Sequence, residues 1–215
     1  METEHYLNFS FKWDFRLKCT NRTSDIQLFL DMICVVISSN PLLPSPFKGA
    51  VRSLVPKLNC PSIKEPLVIT KKPPVTKFLA NSIELAEKNL ETMLKLIIAF
   101  KLLSPYLNWY CRQENSSSLF MGSHGNAQIL GPLGLAIRTD VSVGVSLLAP
   151  NTQYPVHQHL PEEIYIVMSE GEWKQEDKEW SRPGYGGLLY NPSNVSHSMR
   201  STKTPLLAVW CLNIV

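Results

Sequence analysis

The stretch VSVGVSLLAPNTQYPVHQHLPEEIYIVMSEGEW, residues 141–173, decides the fold of the second half of the chain. Its two apolar runs are short, rich in Val, Ile and Leu, and separated by a proline-containing segment, which is typical of β-strands. In all, six such runs are present, at 127–130, 135–139, 142–149, 163–168, 187–190 and 206–212. Short strands at close intervals, punctuated by Gly, Pro and Asn, predict a small antiparallel barrel or jelly roll over residues 116–215.

The first half of the chain has the pattern of helices. Apolar residues repeat at helical spacing from Asp25 to about Ser38 and from Lys77 to Leu103, and a short amphipathic piece covers 49–58. Prolines interrupt the connections, and Pro105 ends the long helix. We therefore expect a helical layer over residues 1–115, either as a separate domain or integrated with the barrel over 116–215.

Composition excludes several classes of protein. The chain has 215 residues, 44% of them hydrophobic and 18% charged, with a formal net charge of +3. Basic residues are scattered, so nucleic acid is not a predicted partner. The most apolar segment, 26–37, is too short to span a membrane, and the start shows no secretory signal. Five widely separated cysteines predict reduced thiols in a cytoplasmic protein.

Three histidines and a glutamate form a candidate metal site. His157 and His159 lie two residues apart, so in an extended strand both side chains leave the same face. Glu163 follows with the same parity, and His197 comes from a distant run. Three imidazoles and a carboxylate suit one transition-metal ion with open coordination positions. Such donors accept Fe(II), Mn(II), Zn(II), Ni(II) or Co(II), and the sequence does not choose among them.

The spacing around His197 resembles the second motif of the cupin family. The pattern is Gly186-x5-Pro192-x-Asn194-x2-His197, with Asn194 where glycine is usual. Asn tolerates left-handed backbone better than most other residues, so this exchange is mild. The resemblance implies a mainly β fold, a C-terminal cupin barrel with an N-terminal helical layer. Three protein ligands plus a substrate would suffice, so direct binding of the metal by His157 is left open.

Residues 141–212 further resemble the bacterial cupin-type dimethylsulfoniopropionate (DMSP) lyases. The family hallmark is HxHxxxExY with a later histidine, which here falls on His157, His159, Glu163, Tyr165 and His197. The family is also similar at three further segments: Pro183-Gly184, 195–200 and PLLAVW (205–210). In the first half of the chain the similarity is limited to its helical character. The resemblance implies a metal-dependent carbon–sulfur lyase. Its small zwitterionic sulfonium substrate is cleaved by β-elimination to dimethyl sulfide and acrylate.

The resemblance also assigns roles to aromatic residues. Tyr165 is the implied catalytic base; a free phenol has a pKa of about 10, and a nearby cation favours its phenolate. Tyr154 matches a family tyrosine that helps to hold the substrate. A sulfonium group favours aromatic faces, which Trp210, or Trp109 or Tyr110 from the helical layer, could supply. Each of these side chains is also compatible with simple core packing.

Two other functions fit the same ligands. One is a different metal cupin enzyme, such as a dioxygenase or a sugar isomerase, which would not require a tyrosine two residues after Glu163. The other is a non-catalytic cupin that binds a small ligand, although no helix-turn-helix of a sensor is evident. The oligomeric state is left open, with a homodimer as one arrangement. His124, in the Gly-rich segment MGSHGN, is interpreted as a loop residue.

Overall fold

The structure is a computed structural model, which describes residues 22–40, 43–58, 72–89, 93–112 and 118–214. The helices are α1 (Arg22–Ser38), α2 (Ser45–Leu58), α3 (Leu79–Asn89), α4 (Leu94–Leu103) and α5 (Ser118–Ser123). The strands are β1 (Trp109–Tyr110), β2 (His124–Leu130), β3 (Val141–Leu148), β4 (Glu162–Val167), β5 (Glu172–Gln175), β6 (Leu188–Asn191), β7 (His197–Arg200) and β8 (Leu206–Asn213).

The strands form two antiparallel sheets. The larger has six strands in the order β1-β2-β3-β8-β4-β6, and the smaller pairs β5 with β7. One buried apolar cluster joins Trp173 and Met199 of the smaller sheet to Val167, Ala208 and other residues of the larger. The two sheets therefore face each other across the interior of a barrel. The predicted cupin barrel with helices in the N-terminal half is confirmed.

The two faces of the six-stranded sheet belong to two different buried clusters. On β3, Val143 and Val145 join one large core with helical residues such as Phe29 and Phe100. Because side chains alternate along a strand, the residues between them face the barrel interior. The helices thus cover the outer face of this sheet, and the interior receives both polar strand residues, such as Ser146 and Glu163, and the second buried apolar cluster, which includes Tyr165 and Trp210.

The helical layer and the barrel share this core. The Lys57 ammonium on α2 also donates hydrogen bonds to the carbonyl oxygens of Asp140 and Ile214, both at 2.9 Å. The division at residues 115 and 116 stays a prediction, and β1 lies before it while pairing with β2. None of the helices described is long and apolar enough to cross a membrane.

The predicted long helix over 77–103 is interrupted. The structure has α3 and α4 in its place, with a short 3-10 turn at Pro74–Phe78 before them, while residues 90–92 lie outside the described ranges. Met93, just before α4, has φ −111° and ψ 12°, which is outside the helical range. A single helix of this span would be roughly 40 Å long. Two shorter helices let α4 pack on α1 and α3 pack on β8.

The strand prediction was right for five of its six runs and wrong for 135–139. That run contributes only an isolated bridge, in which Ala136 N–H donates to the Ile129 carbonyl at 3.0 Å. The turn at 131–134, which contains Pro132, brings the chain back beside β2 for one residue only. Strands β1 and β5 were not predicted, and β7 was expected only as the distant run that carries His197.

Three of the five cysteines lie in described positions, and Cys34, Cys111 and Cys211 are free thiols there. Cys19 and Cys60 lie outside the described residues. The reduced state of the cysteines stays a prediction.

Gly144 allows the Trp210 indole to lie flat against β3. A Cβ atom at residue 144 would lie 2.3 Å from Trp210 Cζ2 and 2.3 Å from the Ala127 carbonyl oxygen. We expect Gly144→Ala to lower the free energy of unfolding by about 1–3 kcal/mol, since overpacking forces side chains off their rotamers. Urea denaturation followed by tryptophan fluorescence measures this change.

The control for this substitution is Gly49→Ala in α2, where an added Cβ would meet nothing within 4 Å. A helical Gly-to-Ala change in open space should be neutral or stabilising by up to about 1 kcal/mol. Equal stability of Gly144→Ala and wild type would show that the strands move apart freely at this position.

Candidate metal centre

The donor groups come from three places in the barrel. His157 and His159 lie in an irregular segment before β4, Glu163 is the second residue of β4, and His197 begins β7. The strand predicted for the two histidines is wrong, because Pro155 and Pro161 supply no N–H for a ladder. Only His157 pairs, in an isolated antiparallel bridge with His197.

The structure brings the three imidazoles together. The His157 and His197 ring centroids are 4.2 Å apart, and those of His159 and His197 are 5.0 Å apart. One nitrogen from each of the three rings lies within 4.8 Å of the others. The spacing suits three ligands that converge on one ion.

Backbone carbonyls determine which nitrogen of each ring is available. The Nδ1 atoms of His157, His159 and His197 lie 2.9, 2.8 and 2.9 Å from the carbonyl oxygens of residues 155, 161 and 195. A carbonyl oxygen only accepts, so each Nδ1 carries the proton. In the neutral rings each Nε2 therefore presents a lone pair, as metal-binding histidines do.

Glu163 completes the cluster. Its Oε2 lies 3.2 Å from His197 Nε2 and 3.4 Å from His159 Nε2. In the neutral form of the rings a carboxylate oxygen thus faces two nitrogen lone pairs, an arrangement that either a metal ion or a proton on one ring stabilises. Among the described residues, His197 Nε2 is a buried polar atom with no hydrogen-bond partner. The donor set therefore fits a divalent transition-metal ion, with His157, His159, Glu163 and His197 as the residues that would hold it.

The electrostatics of the metal-free cluster favour the ligand forms of Glu163 and His157 but not that of His159. Burial would raise the pKa of Glu163, but hydrogen bonds and positive charge from His159 and His197 outweigh it and lower the pKa to about 2. Burial and the neighbouring His197 lower the pKa of His157 to about 4, which keeps that ring neutral at pH 7. For His159 burial is opposed by Glu163, and the pKa is raised.

A second set of side chains orients Glu163, and the sequence analysis missed it. Asn191 Nδ2 donates to Glu163 Oε2 at 2.9 Å, and Gln175 Nε2 donates to Asn191 Oδ1 at 2.7 Å. Asn191 lies opposite Glu163 in the β4–β6 register. A signal was available, since Asn191 is a polar residue directly before Pro192 of the cupin motif.

The turn before His197 has a left-handed backbone conformation at Asn194, as its motif suggests. Asn194 has φ +60°, in the left-handed region where the family pattern has glycine. Its N–H donates to the His159 carbonyl oxygen at 2.9 Å. The turn therefore links the segment of the first two histidines to the third.

A cavity of about 250 Å³ opens next to these donors. Tyr154, Tyr165 and Trp210 line it together with His157, His159 and Glu163, so the structure brings most of the predicted site residues to one place. Its remaining lining residues are Tyr110, Arg112, Asn126, Gln128, Ser146 and Leu212.

Trp109 does not line this cavity, which corrects its prediction as a substrate contact. It is only 3% exposed and belongs to the core shared with the helices. Trp109 pairs with Ala127 and Tyr110 with Asn126 in the β1–β2 register. Because neighbouring residues of a strand point to opposite faces, Tyr110 is the residue that reaches the cavity.

Tyr165 lies deep in the barrel, opposite Trp210 in the β4–β8 register. Its side chain is 3% exposed, and its ring centroid lies 6.3 Å from that of Trp173. Burial and the negative charge of Glu163 raise the pKa of Tyr165 well above its ordinary value. In the metal-free chain this phenol is therefore neutral at physiological pH.

Tyr154 is held by a polar network. Its hydroxyl oxygen accepts a hydrogen bond from Asn126 Nδ2 at 3.2 Å, and Ser146 Oγ donates to Asn126 Oδ1 at 2.6 Å. Burial raises the pKa of Tyr154, so its hydroxyl is a donor. The network residues were not predicted, although Asn126 and Ser146 belong to polar positions that alternate along β2 and β3.

These features define the class of the protein: a cupin barrel whose interior holds three histidines and a glutamate beside a small cavity. The family model for dimethylsulfoniopropionate lyase matches residues 49–208, most of the chain. The chain therefore belongs to the dimethylsulfoniopropionate lyase family, a family of carbon–sulfur lyases.

One curated relative is "Putative dimethylsulfoniopropionate lyase DddL" of Cereibacter sphaeroides, 29% identical over 125 residues. That match covers 58% of this chain and 52% of the relative, so it spans about half of the relative's length.

Two crystal structures of DMSP lyases share the fold. The lyase DddQ from Ruegeria pomeroyi DSS-3 superposes with a TM-score of 0.65 at 22% identity, covering 88% of this chain and 91% of that one. A structure from the set for the DMSP lyases RdDddP and RnDddQII gives a TM-score of 0.68 at 18% identity, covering 90% and 94%. At these identities the two structures support the fold alone.

Proposed function

We propose that this chain is a metal-dependent lyase that cleaves dimethylsulfoniopropionate by β-elimination into dimethyl sulfide and acrylate. The observation that carries the proposal is the position of Tyr165 in the same cavity as His157, His159 and Glu163. A base beside a metal-binding cluster is what removal of a proton next to a carboxylate requires. Membership of the lyase family supports the same substrate.

In this proposal the four-donor cluster holds one divalent ion. When bound, the ion acts as a Lewis acid toward the substrate carboxylate and favours ionisation of a neighbouring phenol. The side chains of His157, His159, Glu163 and His197 are already aimed for this task by their carbonyl and amide partners. The identity of the metal is left to experiment.

Tyr165 is the proposed base. Its phenolate oxygen takes the proton from the carbon next to the carboxylate, and the C–H electron pair becomes the new carbon–carbon double bond. The carbon–sulfur bond breaks with its electron pair on sulfur, which leaves as neutral dimethyl sulfide. The low exposure of Tyr165 keeps bulk water away from this proton transfer.

The remaining aromatic residues would orient the substrate. Trp210 lies opposite Tyr165 in the strand register and lines the cavity, which supports a cation–π contact between its ring and the sulfonium. Tyr154, whose hydroxyl oxygen accepts from Asn126, has its own proton available for a carboxylate oxygen. A small zwitterion thus finds a partner for each pole.

The test is a headspace assay for dimethyl sulfide with purified protein and dimethylsulfoniopropionate. Stripped protein should be inactive, and one or more of Fe(II), Mn(II), Zn(II), Ni(II) and Co(II) should restore release. Acrylate should form in equal amount, and the reaction should proceed without oxygen, which separates it from a dioxygenase. Absence of metal-dependent release with every ion would refute the proposed function.

A further inference from the structure

We propose that Arg112 is a specificity-determining residue, which selects substrates that carry a carboxylate by binding it together with Tyr154. The inference rests on the proposed lyase function and names a contact that the catalytic motif does not contain. Arg112 lies between β1 and α5, well before the cupin motifs in sequence, and lines the same cavity as the metal-binding cluster.

The cavity has one strong cation of its own. Among its described lining residues, Arg112 is the only arginine or lysine, and Glu163 is the only carboxylate. Glu163 is directed at His159 and His197, so its charge is engaged within the cluster. The positive charge of Arg112 also opposes the rise in pKa of both Tyr154 and Tyr165. This guanidinium therefore acts on the groups that surround the substrate space.

The backbone of Arg112 is held in place by a buried histidine. The Arg112 N–H donates to His124 Nε2 at 2.9 Å, and His124 Nδ1 donates to the Phe120 carbonyl oxygen at 2.7 Å. His124 is fully buried at the start of β2, where the sequence analysis had placed it in a loop. Burial lowers the pKa of His124, so the ring stays neutral and keeps its acceptor for Arg112.

Neighbouring contacts strengthen this anchor. The His124 ring stacks on Phe120 with centroids 3.7 Å apart. The Cys111 thiol lies 3.2 Å from the carbonyl oxygens of both Met121 and His124. The segment that carries Arg112 is therefore attached to the first residue of β2, which limits the positions that the Arg112 side chain can reach.

The side chain of Arg112 acts on Tyr154. Both line the same cavity, where the charge of Arg112 opposes the rise in pKa of the Tyr154 phenol, and the Tyr154 hydroxyl accepts a hydrogen bond from Asn126 Nδ2. Because the hydroxyl oxygen accepts from Asn126, the Tyr154 hydroxyl has its own proton left to donate. A guanidinium and a phenol proton side by side form a site for an anionic oxygen, and a planar guanidinium is well suited to carboxylates.

This placement also orients a zwitterionic substrate. A sulfonium would be repelled by Arg112, whereas Trp210 offers an aromatic ring. Trp210 lies directly between Gly144 and Tyr165 across the neighbouring strands of the sheet. Arg112 comes two residues after Tyr110, and Tyr110 pairs with Asn126, which is at a different position along the strands from Trp210. The carboxylate pole would thus lie toward Arg112 and the metal-binding cluster, with the sulfonium pole over Trp210.

The test measures carboxylate binding directly. Zn(II)-loaded wild type, Arg112→Gln and Arg112→Lys are titrated by calorimetry with propionate and with uncharged propionamide. Loss of a charged hydrogen bond should weaken propionate about tenfold or more in Arg112→Gln, with propionamide unchanged and propionate affinity partly restored in Arg112→Lys. The matched control is Arg52→Gln, an equal change of charge at an exposed position of α2, which should bind propionate as wild type does.

Folding and metal content are checked for each variant by circular dichroism and metal analysis. An Arg112→Gln protein that folds, holds zinc and binds propionate within twofold of wild type would overturn the inference. An equal loss for propionate and propionamide would also overturn it, because a contact to charge would then not be the cause.

The kinetic test separates this inference from the proposed function. With dimethylsulfoniopropionate, Arg112→Gln should raise KM about tenfold or more with a smaller change in kcat. If wild type releases dimethyl sulfide and KM does not change in the variant, the role of Arg112 is refuted and the lyase function stands. If propionate binding depends on Arg112 but no protein releases dimethyl sulfide, the lyase function is refuted and the carboxylate site stands.

Discussion

Tyr165→Phe is expected to reduce the release of dimethyl sulfide by about 10²- to 10⁴-fold, the usual contribution of a general base. The substitution removes only the hydroxyl, while the ring that packs near Trp173 stays. Stability and metal binding should therefore remain close to those of wild type. The headspace assay gives the rate, and metal analysis of the same samples confirms that the ion is still bound.

The control for Tyr165→Phe is Tyr106→Phe, the same chemical change at an exposed tyrosine of the helical layer. It should leave the rate unchanged. If Tyr165→Phe kept full activity, another group would have to be the base, and Tyr154 would be the next candidate because it lines the same cavity. That result would leave the lyase function itself intact.

The base function proposed for Tyr165 would depend on a bound cation. In the metal-free chain, burial and Glu163 raise the pKa of this phenol, so it would be a poor base at neutral pH. The chemistry proposed for Tyr165 therefore requires that the neighbouring cluster binds its metal. Loss of the metal is expected to stop the reaction even with Tyr165 in place.

His197→Gln is expected to weaken metal binding by more than about 100-fold and to abolish activity at limiting metal. His197 is the most buried of the three histidines, and its Nε2 lies beside Glu163 with no hydrogen-bond partner among the described residues. Loss of an outer partner of a metal ligand typically costs about 10- to 100-fold in affinity, and loss of a ligand should cost more. Competition with a coloured chelator measures the change.

Two further variants calibrate this result. Asn191→Ala removes the amide that orients Glu163 and should weaken metal binding about 10- to 100-fold, less than His197→Gln. Gln158→Ala changes an exposed side chain between the first two histidines and should have no effect. Wild-type metal affinity in His197→Gln would show that the ion is bound by a different set of residues.

The donor cluster was predictable because its members lie in short motifs with distinctive spacing. His157, His159 and Glu163 fall within seven residues of the chain, and Asn194 marks the turn that leads to His197. The supporting residues were not predictable in this way. Arg112, Asn126 and Asn191 come from separate parts of the chain and reach the site only through strand pairing and the barrel's closure.

The burial of β3 shows a second limit of sequence reading. The run 142–149 was correctly predicted as a strand, but its sequence does not say which face lies inside the barrel. On an ordinary two-layer protein the polar face would meet solvent. Here the apolar face is covered by the helices, and Ser146 points into the barrel, where it supports Asn126.

The sequence by itself determined the strand-rich second half, the helical first half and the motif of candidate metal ligands, because these depend on local periodicity and on spacing within short segments. The tertiary structure decided which aromatic residues meet the cavity, where the long helix is interrupted and how the donor atoms are aimed. Trp109 and Tyr110 are neighbours in sequence, yet one packs in the core and the other lines the cavity. Such differences depend on which face of each strand the rest of the chain covers, and no local pattern specifies that.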